Sequence, residues 1–239
     1  MSFDHFFNVT AGTGCIDPAT GLARHASQLD CSVASLTNYR DNFTGAAFDL
    51  PDPQPNKMTA QDLFLVGSLS VSKFRNLSSI GKMLERFHKD ELNSVACRTQ
   101  PTCQTHFHCV LARIPVTTTI YQVALGNAVW VDVDLAWQLI GRLVGVKGNS
   151  PAFRTKPLAR KRPGLIPILD GPGSIAYLRN QGIPNGRYWS TILTWMQRPA
   201  VAPGVAAIRA RGAGGGMSDL RIVDVIVWMS MMHPNTRCA

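Results

Sequence analysis

The densest set of chemically capable side chains is Cys97-x5-Cys103-x2-His106-x-His108-Cys109. Thiolates and imidazoles are ligands for a borderline-soft ion such as Zn2+. Structural zinc usually draws on two close pairs about a dozen or more residues apart. Here only the tail of the run is compact, and the spacing matches no standard site. Ordinary buried cysteines beside half-exposed histidines are the competing reading, so no metal and no cofactor is expected.

A larger constellation is cationic. Arg154, Lys156, Arg160, Lys161 and Arg162 crowd nine positions, and Arg142, Lys147, Arg179, Arg187, Arg198, Arg209 and Arg211 surround them. Asp170 is the one acid within residues 142–211, where Arg outnumbers Lys by nine to three. Residues 1–119 balance 10 basic against 10 acidic groups, so the whole net charge of +9 lies in the second half. A one-signed field of that length repels itself unless a polyanion neutralises it. Tyr188 and Trp189 follow Arg187 directly. Guanidinium forks fit phosphate and aromatic rings stack on bases, which is what single-stranded nucleic acid requires. The alternative is a solvated basic surface with Tyr188 and Trp189 in the core.

Catalytic sets are missing. There is no Gly-x-Ser-x-Gly and no paired carboxylate motif, and the GAGGG loop at 212–216 lacks the Gly-Lys-Ser/Thr of a phosphate loop. No enzyme is expected.

The elements that must position these groups read as follows. Thr59 and Asp62 fit a capping box opening one helix. Phe74, Leu77, Ile80, Leu84 and Phe87 recur at helical spacing within a second helix over residues 70–92. The β-branched run Val116–Val123 and the Gly126-Asn127 turn predict a hairpin within residues 105–133. A helix starts with Asp134 as N-cap and ends at Gly145. Residues 148–164 are rich in Pro and Arg and read as a loop and hinge. Short helices follow near 174–181 and 187–197, and a last helix capped by Ser218 is apolar on nearly every face. The expected fold is mainly α with a central β-hairpin (α+β), in two lobes with flanking arms. Residues 1–57 form an N-terminal arm, 58–147 one lobe, 148–216 a basic hinge and second lobe, and 217–239 a C-terminal helix.

Composition bounds the rest. The chain has 239 residues, is 45% hydrophobic and 16% charged, and has a mean hydropathy of +0.01. That is enough apolar material for a core. No apolar run reaches bilayer length and the N-terminus lacks a secretory pattern, so no membrane partner is expected and the six cysteines read as reduced thiols.

Two resemblances bear on function. Thr105–Leu111 resembles the metal-binding strand of HUH single-strand endonucleases, where two histidines flank an apolar residue. That likeness implies a metal held by His106 and His108, with Tyr177 or Tyr188 as nucleophile. Residues 6–28 resemble the opening of orthobunyavirus-type nucleoproteins through Phe6, Val9, Ala11, Thr13, Ile16, Asp17, Pro18, Gly21 and Leu22. Met58-Thr59, Ile140-Gly141, the Leu158–Arg162 run and Gly164 are similar to later blocks of that family. The nucleoprotein likeness covers about a fifth of the chain. It implies a two-lobed, mainly helical protein that sequesters single-stranded RNA, contacts it through Arg160, Lys161 and Arg162, and links copies into rings or filaments. The expected function is therefore a viral nucleocapsid or coat protein located in the virion and host cytoplasm. It would bind RNA by sequence-independent phosphate contacts and assemble with itself. A metal-dependent single-strand endonuclease and a basic peripheral matrix protein are the alternatives.

Overall fold

In the computed structural model, residues 3–8, 27–69, 76–97, 103–124, 126–145 and 151–232 are described. Ten α-helices occur among them: α1 (Gln28–Asn42), α2 (Ala60–Ser68), α3 (Leu77–Ser94), α4 (Phe107–Arg113), α5 (Val129–Leu143), α6 (Pro151–Lys161), α7 (Ala176–Asn180), α8 (Tyr188–Met196), α9 (Val201–Ala210) and α10 (Asp219–Met232). No strand occurs among the described residues. The fold is all-α, and the expected central β-hairpin is corrected. Phe107–Arg113 is a helix, Ile120–Gln122 a 3-10 turn, and α5 starts at Val129. Val129, Val131 and Val133, inside the expected hairpin, instead form the first turns of α5, and Val133 is buried as α5 packs on α4. Tertiary burial thereby overrides the β preference of branched side chains. Asn127 Oδ1 accepts the Val129 N–H at 3.0 Å, so Asp134 is an exposed mid-helix residue rather than the N-cap. Gly145 ends α5 as expected, in the left-handed region at φ +62.

The chain divides into two compact units. The first comprises residues 47–166. Its α2 begins with the expected capping box: Thr59 accepts the Asp62 N–H at 3.2 Å and Asp62 accepts the Thr59 N–H at 2.8 Å. Helix α3 starts later than its apolar spacing suggests, at Leu77, with Asn76 as N-cap. Ile80, Met83 and Phe87 form its buried stripe, whereas Leu77 is exposed and Phe74 lies outside the described residues. The expected loop over 148–164 is largely helix. Pro151 occupies the first position of α6, where a missing N–H is harmless. Pro157 sits inside α6, where it forgoes one backbone bond.

The second unit comprises residues 1–46 and 167–239. Helix α10 packs against α1 and a π-helical turn at Gly171–Ile175. Its side chains are buried on most faces, which makes it central to that unit's core. The Ser218 hydroxyl accepts the Arg221 N–H at 3.1 Å, as its capping role requires. Helix α9 has no sequence signal because Pro203 and Gly204 lie inside it. Gly204 is needed there: a Cβ would stand 2.4 Å from the Phe7 ring. Cys31 is disulfide-bonded, which corrects the reduced-thiol expectation at that position. Cys97, Cys103 and Cys109 are free. Positions 9–22 of the nucleoprotein-like block lie outside the described residues.

Candidate metal centre

The structure takes the densest cations out of solvent. Lys156, Arg160, Lys161 and Arg162 are 4%, 4%, 1% and 1% exposed. Arg160 Nε donates to Asp62 Oδ1 at 3.2 Å, and its two terminal nitrogens donate to the Phe48, Leu50 and Pro51 carbonyls. Lys161 Nζ lies 2.5 Å from Asp62 and 2.9 Å from Asp52. Arg162 donates to the carbonyls of Ile114, Leu111, Pro55 and Lys161 and to Asn56 Oδ1. Burial pulls its guanidinium down to about 10. Lys156 Nζ donates to the Leu69 carbonyl at 2.7 Å. These four act as internal braces, bonded to the chain's own carboxylates and carbonyls. Their acids lie about a hundred residues earlier in the chain, where charge counting along a segment does not see them.

The remaining expected contacts are scattered over both units. Arg154 is half-buried over the Trp137 ring, 5.5 Å from its centroid, and Arg142 is exposed on α5. In the other unit Arg198 pairs with Asp4, Arg209 with Asp219 and Arg211 with Asp30. Tyr188 is 4% exposed and its hydroxyl accepts from Arg179 Nε at 3.1 Å, so it offers no stacking face. Trp189 is half-buried, Arg179 and Arg187 are exposed, and Lys147 lies outside the described residues. Tyr177 is buried against Phe6 and Trp195. Both candidate tyrosine nucleophiles thus belong to the 1–46/167–239 unit, whereas His106 and His108 sit at a helix start in the other.

The Cys/His run does converge. Cys97 ends a 3-10 turn directly after α3, and His106 is the N-cap of α4. One ligand atom from each of Cys97, Cys103 and His106 lies within 4.8 Å of the others. Asp90, on α3, organises the group, and nothing in its spacing reveals it. Its carboxylate accepts the Phe107 and His108 N–H groups at 3.1 and 3.2 Å, satisfying the first donors of α4. The same oxygens lie 3.5 Å from His106 Nδ1 and 2.7 Å from His108 Nδ1. That carboxylate therefore fixes the His108 ring and stands behind His106, where a metal-bound imidazole usually finds its support.

Electrostatics differ sharply between the sulfurs. Burial opposes ionisation of Cys103, but the Thr105 and His106 backbone N–H groups, the Thr105 hydroxyl and the Cys97 thiol outweigh it and bring Cys103 down to about 6. Cys97 is raised, chiefly by its hydrogen bond to Cys103. Burial and the neighbouring sulfurs push Cys109 up to about 11. Burial also works against the Asp90 carboxylate, yet His108 and the two backbone donors hold it below its usual range.

A cavity of about 550 Å³ adjoins the centre. Cys97, His108 and Cys109 form part of its wall, with Lys57, Glu91 and Arg113 around them. Lys57 pairs with Glu91 at 3.0 Å. Arg113 pairs with Asp132 at 2.6 Å and donates to the Cys103 carbonyl at 2.5 Å, tying α5 to the sulfur-bearing segment.

A family model described as a family of unknown function (DUF6308) matches residues 93–231. The matched span begins just before Cys97 and includes all the sulfurs and both histidines of the centre. No curated protein and no solved structure matches the chain.

Proposed function

The chain belongs to the DUF6308 family, whose function is unknown, and on the geometry of its own side chains we propose that it is a zinc protein, with the ion held by Cys97, Cys103 and His106. The convergence of those three donor atoms within 4.8 Å carries the reading. Tetrahedral bonds of about 2.3 Å to sulfur and 2.0–2.1 Å to nitrogen place donors roughly 3.5 Å apart, so loading needs a contraction of about 1 Å. Two thiolates and an imidazole favour Zn2+ over the oxygen-seeking Mg2+ and Ca2+. Two thiolate charges also neutralise the ion, which suits a half-buried site. The ion would pin the end of α3 to the start of α4, a junction otherwise held by Asp90.

The RNA-packaging reading is not advanced, because its densest cations bond to the chain's own carboxylates and carbonyls. Protein purified from zinc-supplemented cells is expected to hold about one zinc per chain by elemental analysis, as a site with this donor set requires. A substoichiometric content that does not rise on titration with zinc under reducing conditions would refute the proposal.

A further inference from the structure

The two sulfurs of the proposed centre touch each other. Cys97 and Cys103 share a hydrogen bond and both belong to the 4.8 Å donor set. They differ in access. Cys97 is half-buried and forms part of the wall of the 550 Å³ cavity. Cys103 is 7% exposed. A small oxidant entering the cavity therefore meets Cys97 with Cys103 in contact behind it, which is the arrangement of an attacked sulfur and its resolving partner. Cys109 also touches Cys103. It lies within α4, however, outside the donor set, and directs its S–H to the Ser94 carbonyl at 3.7 Å. The junction of α3 and α4 does not depend on sulfur alone, because Asp90 accepts the Phe107 and His108 N–H groups. The helices can stay joined while the sulfurs change state.

We propose that the centre is a redox switch, in which hydrogen peroxide joins Cys97 to Cys103 and releases the zinc. The inference rests on the zinc reading and adds the regulation of that site. Zinc has no redox chemistry of its own, so both electrons come from sulfur. The Cys97 sulfur attacks one peroxide oxygen, the O–O bond breaks, and the departing hydroxide takes up a proton and leaves as water. The Cys103 thiolate then attacks the sulfur of the resulting Cys97 sulfenic acid. The S–O bond breaks, a second hydroxide takes up a proton and leaves as water, and the disulfide is formed. Two thiolates have lost two electrons and one peroxide has gained them. Of the three donors only His106 then remains, too few to hold the ion.

Zinc-loaded full-length protein treated with hydrogen peroxide tests it, against a peroxide-free control. A chromogenic chelator reports free zinc, and mass spectrometry of alkylated, non-reduced peptides reports the sulfurs. The expected result is loss of the bound zinc, one ion for each Cys97–Cys103 disulfide formed, with Cys109 recovered as the alkylated thiol. Circular dichroism should show the helical content retained, and reduction should restore zinc uptake. Cys109→Ser should release zinc as the wild type does. Zinc retained after peroxide treatment would overturn the switch while leaving the zinc reading intact. Release with a Cys103–Cys109 disulfide, or with Cys97 carried on to sulfinic acid and no disulfide, would overturn the pairing. Protein that cannot be loaded with zinc would remove the centre and the inference together.

Discussion

Replacing Asp62 by alanine is expected to destabilise the 47–166 unit by about 3–5 kcal/mol, the usual cost of removing one partner from a buried ion pair. Asp62 is 1% exposed and serves two structures at once. One oxygen pairs with Arg160 at 3.2 Å, and the other meets Lys161 at 2.5 Å. The second oxygen also closes the α2 capping box on Thr59. Alanine leaves the Arg160 guanidinium, whose side chain is 3% exposed, without its carboxylate. Lys161 retains Asp52, so the loss is concentrated on Arg160 and the cap. Asp62→Asn keeps a capping acceptor and should fall between wild type and alanine. Urea unfolding followed by circular dichroism measures both. A change below about 1 kcal/mol in the alanine variant, the scale of an exposed pair, would mean that the cations are not buried as described.

The second large effect concerns the metal. Cys103→Ser removes the sulfur that contacts both Cys97 and Cys109. It is expected to abolish stoichiometric zinc binding. Wild-type protein stripped with a chelator should lose a comparable amount of stability. At free zinc 1,000-fold above Kd, ligand linkage contributes about 4 kcal/mol. For a unit of this size that corresponds to a fall in Tm of more than about 10 °C. The chelator should leave the Tm of Cys103→Ser unchanged, which separates metal loss from packing loss. Equal sensitivity of both proteins to chelator would contradict a site built on Cys103.

The sequence shows local structure well and long-range partnership poorly. The Thr59–Asp62 cap, the Ser218 cap and the apolar α10 are legible because each depends on residues within a turn or two. Helices α4 and α6 and the first turn of α5 are not. The β-branched residues of α5 and Pro157 of α6 point away from helix, and only burial against neighbours decides otherwise. The cationic run shows the limit of counting charge along a segment. Counting charges between residues 142 and 211 misses Asp52 and Asp62, which fold in from about a hundred positions away. For the site, the metal-capable side chains are visible in the sequence, but their spacing resembles no standard zinc pattern. The missing signal is Asp90: its place on α3 brings the α4 start, and with it His106 and His108, into position.

Zinc K-edge absorption spectroscopy on the full chain tests the central claim most directly, because it reports which atoms touch the ion. The account predicts about two sulfurs near 2.3 Å and about two lighter atoms near 2.0–2.1 Å, one of them the His106 nitrogen. A shell of oxygen and nitrogen alone would contradict the centre outright.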